Sequence, residues 1–190
     1  MAEPKPLRAD ARRNRVRVLR AAEAVFAARG AGASTEEVAR EAGVGIGTVF
    51  RHFPTKEALL EAVLVERMRE FAEEAERWSA AEEPGTAFFT LLADWVGLGA
   101  AKNAYSDALA AVGAAVPRLG GEPGARVREA LRTLLTGAQK AGAVRLDVDV
   151  PELIALLVGA SHAVGQLGED TPLRQHAVGI IFDGLRPSHG

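Results

Sequence analysis

Apolar positions recur at spacings of three and four along nearly the whole chain, and no stretch sustains the strict alternation of a half-buried strand. Val16, Leu19, Ala22 and Phe26 mark the inner face of a first helix that Gly30 ends. Ser34 and Glu37 supply the Ser-x-x-Glu capping box of a short second helix reaching about residue 42, with Val38, Ala39 and Ala42 inward. Gly43-Val44-Gly45 breaks that helix. A third short helix follows over about 46–53, and Pro54 ends it because the residue before proline avoids helical geometry. Thr55 caps a fourth helix reading to about residue 79. It has a solvated face of Glu66, Arg69, Glu70, Glu73 and Arg77, and buried candidates Leu60, Val63, Leu64, Met68, Phe71 and Trp78. Further helices are predicted at about 85–101, 105–115, 124–141, 149–167 and 172–186, for about nine in all. The fold class is all-α.

Composition narrows the chemistry. With 190 residues, 48% hydrophobic and 25% charged, the chain has the make-up of a folded, water-soluble globule. There is no cysteine, which excludes disulfides, thiolate metal sites and thiol nucleophiles. Arg12, Arg13, Arg15, Arg17 and Arg20 interrupt any apolar signal segment. Asp94 and His162 interrupt the two most apolar stretches, neither of which approaches the roughly 20 residues that span a bilayer. A cytoplasmic protein without membrane partners is expected.

Residues 14–53 carry the most specific signal. Two short helices joined by a glycine-containing turn and propped by a preceding helix have the pattern of a helix-turn-helix. In that motif the second helix enters the major groove. Gly45 and Gly47 would let backbone approach phosphates, and Thr48 offers a hydroxyl. Arg51 and His52 can meet phosphates, as can Lys56 at the start of the fourth helix, where free amides also favour an anion.

These residues resemble the DNA-binding domain of the tetracycline-repressor (TetR) family. The resemblance runs over about 14–64, through Phe26, Gly30, Val38-Ala39, Gly43-Val44, Gly47-Thr48 and Phe53. It implies an N-terminal three-helix DNA-binding domain and a C-terminal helical domain that holds an effector and dimerises. By the same resemblance Ile46 and Gly47 read bases, Thr48, Arg51, His52 and Lys56 hold phosphates, and Thr35 lies near the DNA backbone. The chain departs from the family at Phe50, where a tyrosine hydroxyl usually meets a phosphate, and at Glu36, where some members place a basic residue. Ile46 suits a thymine methyl better than a guanine edge.

Charge follows this division. Residues 1–56 hold 11 Lys+Arg against 6 Asp+Glu, net +5, and the other 134 hold 12 against 19, net −7. The overall charge of −2 conceals a basic N-terminal third. The expected organisation is a basic flexible arm (1–13), a DNA-binding domain (14–56) and an effector and dimerisation domain (57–190). The arm either lies along DNA or is a solubilising tail.

Other features have plainer readings. Gly43-Val44-Gly45-Ile46-Gly47-Thr48 resembles a phosphate loop, but no strand precedes it and no lysine follows Gly47. His162 reads first as a core histidine, and Asp149 as a cap for the helix near Pro151. Four scattered histidines give no metal pair, no catalytic constellation can be assembled, and no cofactor is implied. The pocket candidates are Met68, Phe71, Trp95, Tyr105 and His162, a mainly apolar set with a few polar edges. On the last two helices, Leu156, Gly159, Ala163, Ala177 and Ile181 are the candidate dimer interface. The reading is a regulator and not an enzyme, most simply a repressor binding double-stranded operator DNA as a homodimer and released by a small, largely apolar effector. An enzyme with merely structural N-terminal helices, and an effector-independent regulator or activator, are the alternatives.

Overall fold

The computed structural model describes residues 5–29, 32–97, 121–168 and 171–187, and these contain eight helices and no strand. In chain order they are α1 (Lys5–Arg29), α2 (Thr35–Ala42), α3 (Ile46–His52), α4 (Lys56–Trp78), α5 (Pro84–Gly97), α6 (Gly121–Lys140), α7 (Val150–Gly165) and α8 (Thr171–Asp183). The helix expected over 105–115, and with it Tyr105, lies outside the described residues.

Helix α1 begins earlier than the pattern suggests. The segment expected as a flexible arm is helical from Lys5. No glycine or proline interrupts residues 7–29, and alanine, arginine and leucine are strong helix formers. An Asp10–Arg13 ion pair one turn apart adds local support.

The described residues divide into two compact units, one ending at Glu66 and built from α1–α3 with the first part of α4, the other from Arg67 onward and built from the rest of α4 with α5–α8. In the first, Val18, Leu19, Ala22 and Phe26 of α1 are buried with Val38, Ala39 and Ala42 of α2, Val49 of α3, and Leu59, Leu60 and Val63 of α4. In the second, α5 packs on α6, α7 and α8. Phe88, Leu91 and Leu92 are buried there with Leu131, Leu134 and Leu135 of α6 and Leu153 and Leu157 of α7. Phe89 meets Phe182 at 5.7 Å between ring centroids, and the Arg186 guanidinium lies 4.4 Å above the same ring.

Asp149 caps α7, accepting from the Glu152 amide at 2.9 Å while Glu152 accepts from the Asp149 amide at 2.9 Å. The turn before it is held by Gln139, whose side-chain amide donates to the carbonyls of Arg145 and Val148 at 3.0 Å each.

Candidate nucleic-acid interface

The helix-turn-helix is built from a capped start, a glycine stop and an uncapped second start. At the head of α2, Ser34 Oγ accepts from the Glu37 amide at 3.2 Å, and Glu37 accepts from the Ser34 amide at 2.9 Å. Those bonds satisfy two of the donors a helix start leaves open. The bond from Ser34 is the main cause that holds the Glu37 carboxyl below its ordinary range; Arg29 and Arg40 assist and desolvation opposes. Arg29 also pairs directly with Glu37.

At the tail of α2, Gly43 adopts φ +61° in the left-handed region. Its amide donates to Arg40 O at 3.1 Å, and the next amide, Val44, donates to Ala39 O at 3.0 Å. Only glycine takes this conformation without strain. Gly45 then starts α3 with φ −69°, an ordinary extended conformation, and has no side-chain cap.

Helix α3 buries Val49 alone. Gly47 and Arg51 are exposed, and Phe50 keeps 42% of its surface in solvent. Ile46, Thr48 and His52 are half-buried. Gly45 and Gly47 each have open space where a Cβ would project. Half-buried Lys56 opens α4, its ammonium 5.9 Å from the Phe26 ring centroid. Thr55 caps that helix by accepting from the Ala58 amide at 3.1 Å. Thr35 is buried, with its hydroxyl 3.4 Å from the Glu36 carboxylate. The chain thus gathers short polar groups, two glycines and cations on one short helix and the two turns beside it. That arrangement can lie against a phosphate backbone and bring α3 to base edges.

Known proteins carry the same arrangement. Residues 18–63 match the model described as bacterial regulatory proteins, tetR family. Residues 83–187 match the one described as transcriptional regulator SbtR-like, C-terminal domain. The chain belongs to the TetR family. A TetR transcription regulatory protein from Mycobacterium vanbaalenii is 44% identical, with 96% of this chain and 100% of that one covered and a TM-score of 0.75. A TetR transcriptional regulator from Streptomyces coelicolor is 31% identical over 92% of this chain and 99% of that one, with a TM-score of 0.69. No curated protein matches.

As a TetR-family transcriptional regulator, the chain carries its DNA-binding domain in the N-terminal helices. Both of these similar proteins are transcriptional regulators. Among the described residues no group of three or more potential ligands could hold a metal ion, and no helix is long and apolar enough to cross a membrane.

In the second unit, Met68 and Phe71 are buried on α4 and Trp95 is half-buried on α5. The Phe71 and Trp95 rings lie 4.0 Å apart. His162 does not sit in the core: it is exposed on α7, with Nδ1 2.9 Å from Val158 O. The buried polar residue of that helix is its neighbour Ser161, whose hydroxyl has no partner among the described residues. Leu156, Gly159 and Ala163 are exposed, and Ala177 and Ile181 are half-buried. Ile180 and Leu173, large apolar side chains of α8, are 62% and 45% exposed.

Two contributors to the interface escaped the sequence pattern. Arg17 reaches the turn between α2 and α3, and Arg15 stacks 5.3 Å from the Phe53 ring centroid. Both read as members of a general basic run, because no local spacing announces a tertiary hydrogen bond or a cation over a ring.

Proposed function

We propose that this protein is a cytoplasmic, ligand-responsive repressor that binds a pseudo-palindromic operator as a homodimer. Ile46 and Gly47 read bases, while Thr48, Arg51, His52 and Lys56 hold phosphates. What carries the reading is the exposed face of α3, with Gly47, Phe50 and Arg51 in solvent, set in an N-terminal region of net charge +5. The effector site is proposed around Met68, Phe71 and Trp95, where the Phe71 and Trp95 rings lie together. This lining is mainly apolar and aromatic, so the effector is a small molecule without strong charge. It acts by binding the DNA-incompetent state more tightly, since equal affinity for both states would shift nothing.

The test is binding to DNA upstream of the protein's own gene across a salt series. Arg51 and Lys56 from two protomers neutralise about four phosphates, so log K falls by roughly 3–4 per tenfold rise in salt. Specific binding with such a slope supports the reading, and absence of any sequence-dependent binding overturns it. Release of the bound DNA by neutral aromatic or aliphatic compounds, and not by charged analogues, tests the effector class.

A further inference from the structure

Arg17 lies in the basic stretch of α1, where its charge alone suggests a phosphate contact. Its geometry gives it another task. The Nη2 group donates to Ala42 O at 2.7 Å and to Gly43 O at 3.3 Å. These are the carbonyls of consecutive peptides, on either side of the Gly43 Cα. Two earlier acceptors of the last turn, Ala39 and Arg40, are taken by the amides of Val44 and Gly43. Arg17 therefore adds a side-chain donor to the hydrogen bonding of the helix end. Its cation also faces the negative end of the α2 dipole. Gly43 makes room for it: a Cβ at that position would stand 3.0 Å from Nη2.

The peptide planes held this way set the direction in which the chain leaves α2 and enters α3. That direction needs a clamp, because α3 is seven residues long and buries Val49 alone. So short a helix has little stability of its own and takes its orientation from what holds its ends. We infer that Arg17 is a positioning residue for the recognition helix, locking the turn from behind by a two-carbonyl bond. The effect on DNA rests on the operator-binding reading above; the lock itself does not.

The test uses the full chain, with Arg17→Ala and Arg17→Lys. Alanine preserves the helix, and lysine preserves the charge but cannot present the planar fork. Arg17→Ala should weaken operator binding by on the order of three- to tenfold with an unchanged salt slope, and Arg17→Lys should recover only part of the loss. Amide exchange at Gly43 and Val44 should accelerate in both variants, while the core amides of Ala22 and Val38 stay as in the parent. A salt slope smaller by about two in Arg17→Ala (one phosphate lost per protomer of the dimer), restored in full by lysine, would instead make Arg17 a phosphate contact. Unchanged affinity and exchange would leave it an ordinary surface cation and overturn the lock. If the parent protein binds no operator, the operator reading fails, and exchange at the turn decides the lock by itself: acceleration supports it, and none refutes it.

Discussion

Phe50 is a large apolar side chain kept 42% in solvent on the helix proposed to face DNA. With that much of the residue in solvent, a tyrosine in its place keeps the apolar contacts of the ring and has water beside it for the added hydroxyl. Phe50→Tyr therefore leaves folding unchanged and adds one neutral donor where a phosphate would lie. Operator affinity should rise about three- to tenfold, a single hydrogen bond's worth. The salt slope should not move, because no new charge displaces a counterion. Titration of parent and variant at two salt concentrations measures both quantities. Glu37 makes a second residue-scale case. Its carboxyl is held below the ordinary glutamate range, first by the hydrogen bond it accepts from the Ser34 amide. A carboxyl lowered on folding contributes stability above its unfolded pKa, and that contribution is lost as pH falls through the folded value. Glu37→Gln should therefore be less stable than the parent at about pH 7, with the difference narrowing by about pH 3. Urea unfolding at the two pH values gives the answer, and a gap independent of pH would refute it.

Two glycines close to one another around the turn have opposite reasons for being glycine. Gly43 sits at φ +61° against the Arg17 guanidinium, so Gly43→Ala strains the backbone and crowds the clamp. The cost should be about 1–2 kcal/mol. Gly47 is inside α3 with nothing within 4 Å of where a Cβ would be. Gly47→Ala should stabilise the fold by about 0.5–1 kcal/mol through helix propensity, yet weaken operator binding by filling the space a base or phosphate would approach. Thermal melts and DNA titrations on the pair separate the two roles; if Gly47→Ala binds as the parent does, close approach at that position is wrong. The sequence pattern already made Gly43 part of a helix break and Gly47 a point of close approach, but the left-handed φ of Gly43 was not legible, since a φ angle is set by the hydrogen bonds that close around it. It did read the Ser34–Glu37 box and the Asp149 cap, which are local and written in spacing. It started α1 too late, because an alanine- and arginine-rich stretch has no polar–apolar stripe to mark where solvent-exposed helix begins. His162 and Ser161 show the same limit: one residue of offset on a helix turns one to solvent and the other inward.

At the scale of the whole molecule, the opposite charges of the two regions and the all-α plan were legible before any coordinates, because both are sums over many residues. How copies of the chain associate is not such a sum. It depends on which apolar side chains the packed helices leave uncovered. On α7 and α8 these include Leu156, 38% exposed, and Ile180, 62% exposed. Isolated exposed leucines are ordinary, but here two helices that pack on each other both leave apolar surface of large branched side chains in solvent. A second copy placing the same helices against them would bury that surface and present two α3 helices to half-sites roughly 34–36 Å apart. Leu156→Glu together with Ile180→Glu would set like charges inside such an interface while changing nothing buried in the monomer core. Sedimentation at micromolar concentration should give a dimer for the parent and a monomer for the variant, with helix content equal by circular dichroism. The monomer reads one half-site at a time. Losing the linked second half-site should weaken operator binding by about a hundredfold or more, because the gain from tethering is on the order of 10²–10⁴. A variant that remains dimeric would move the interface elsewhere on the chain. A parent that sediments as a monomer would remove the dimer and, with it, the two-fold operator.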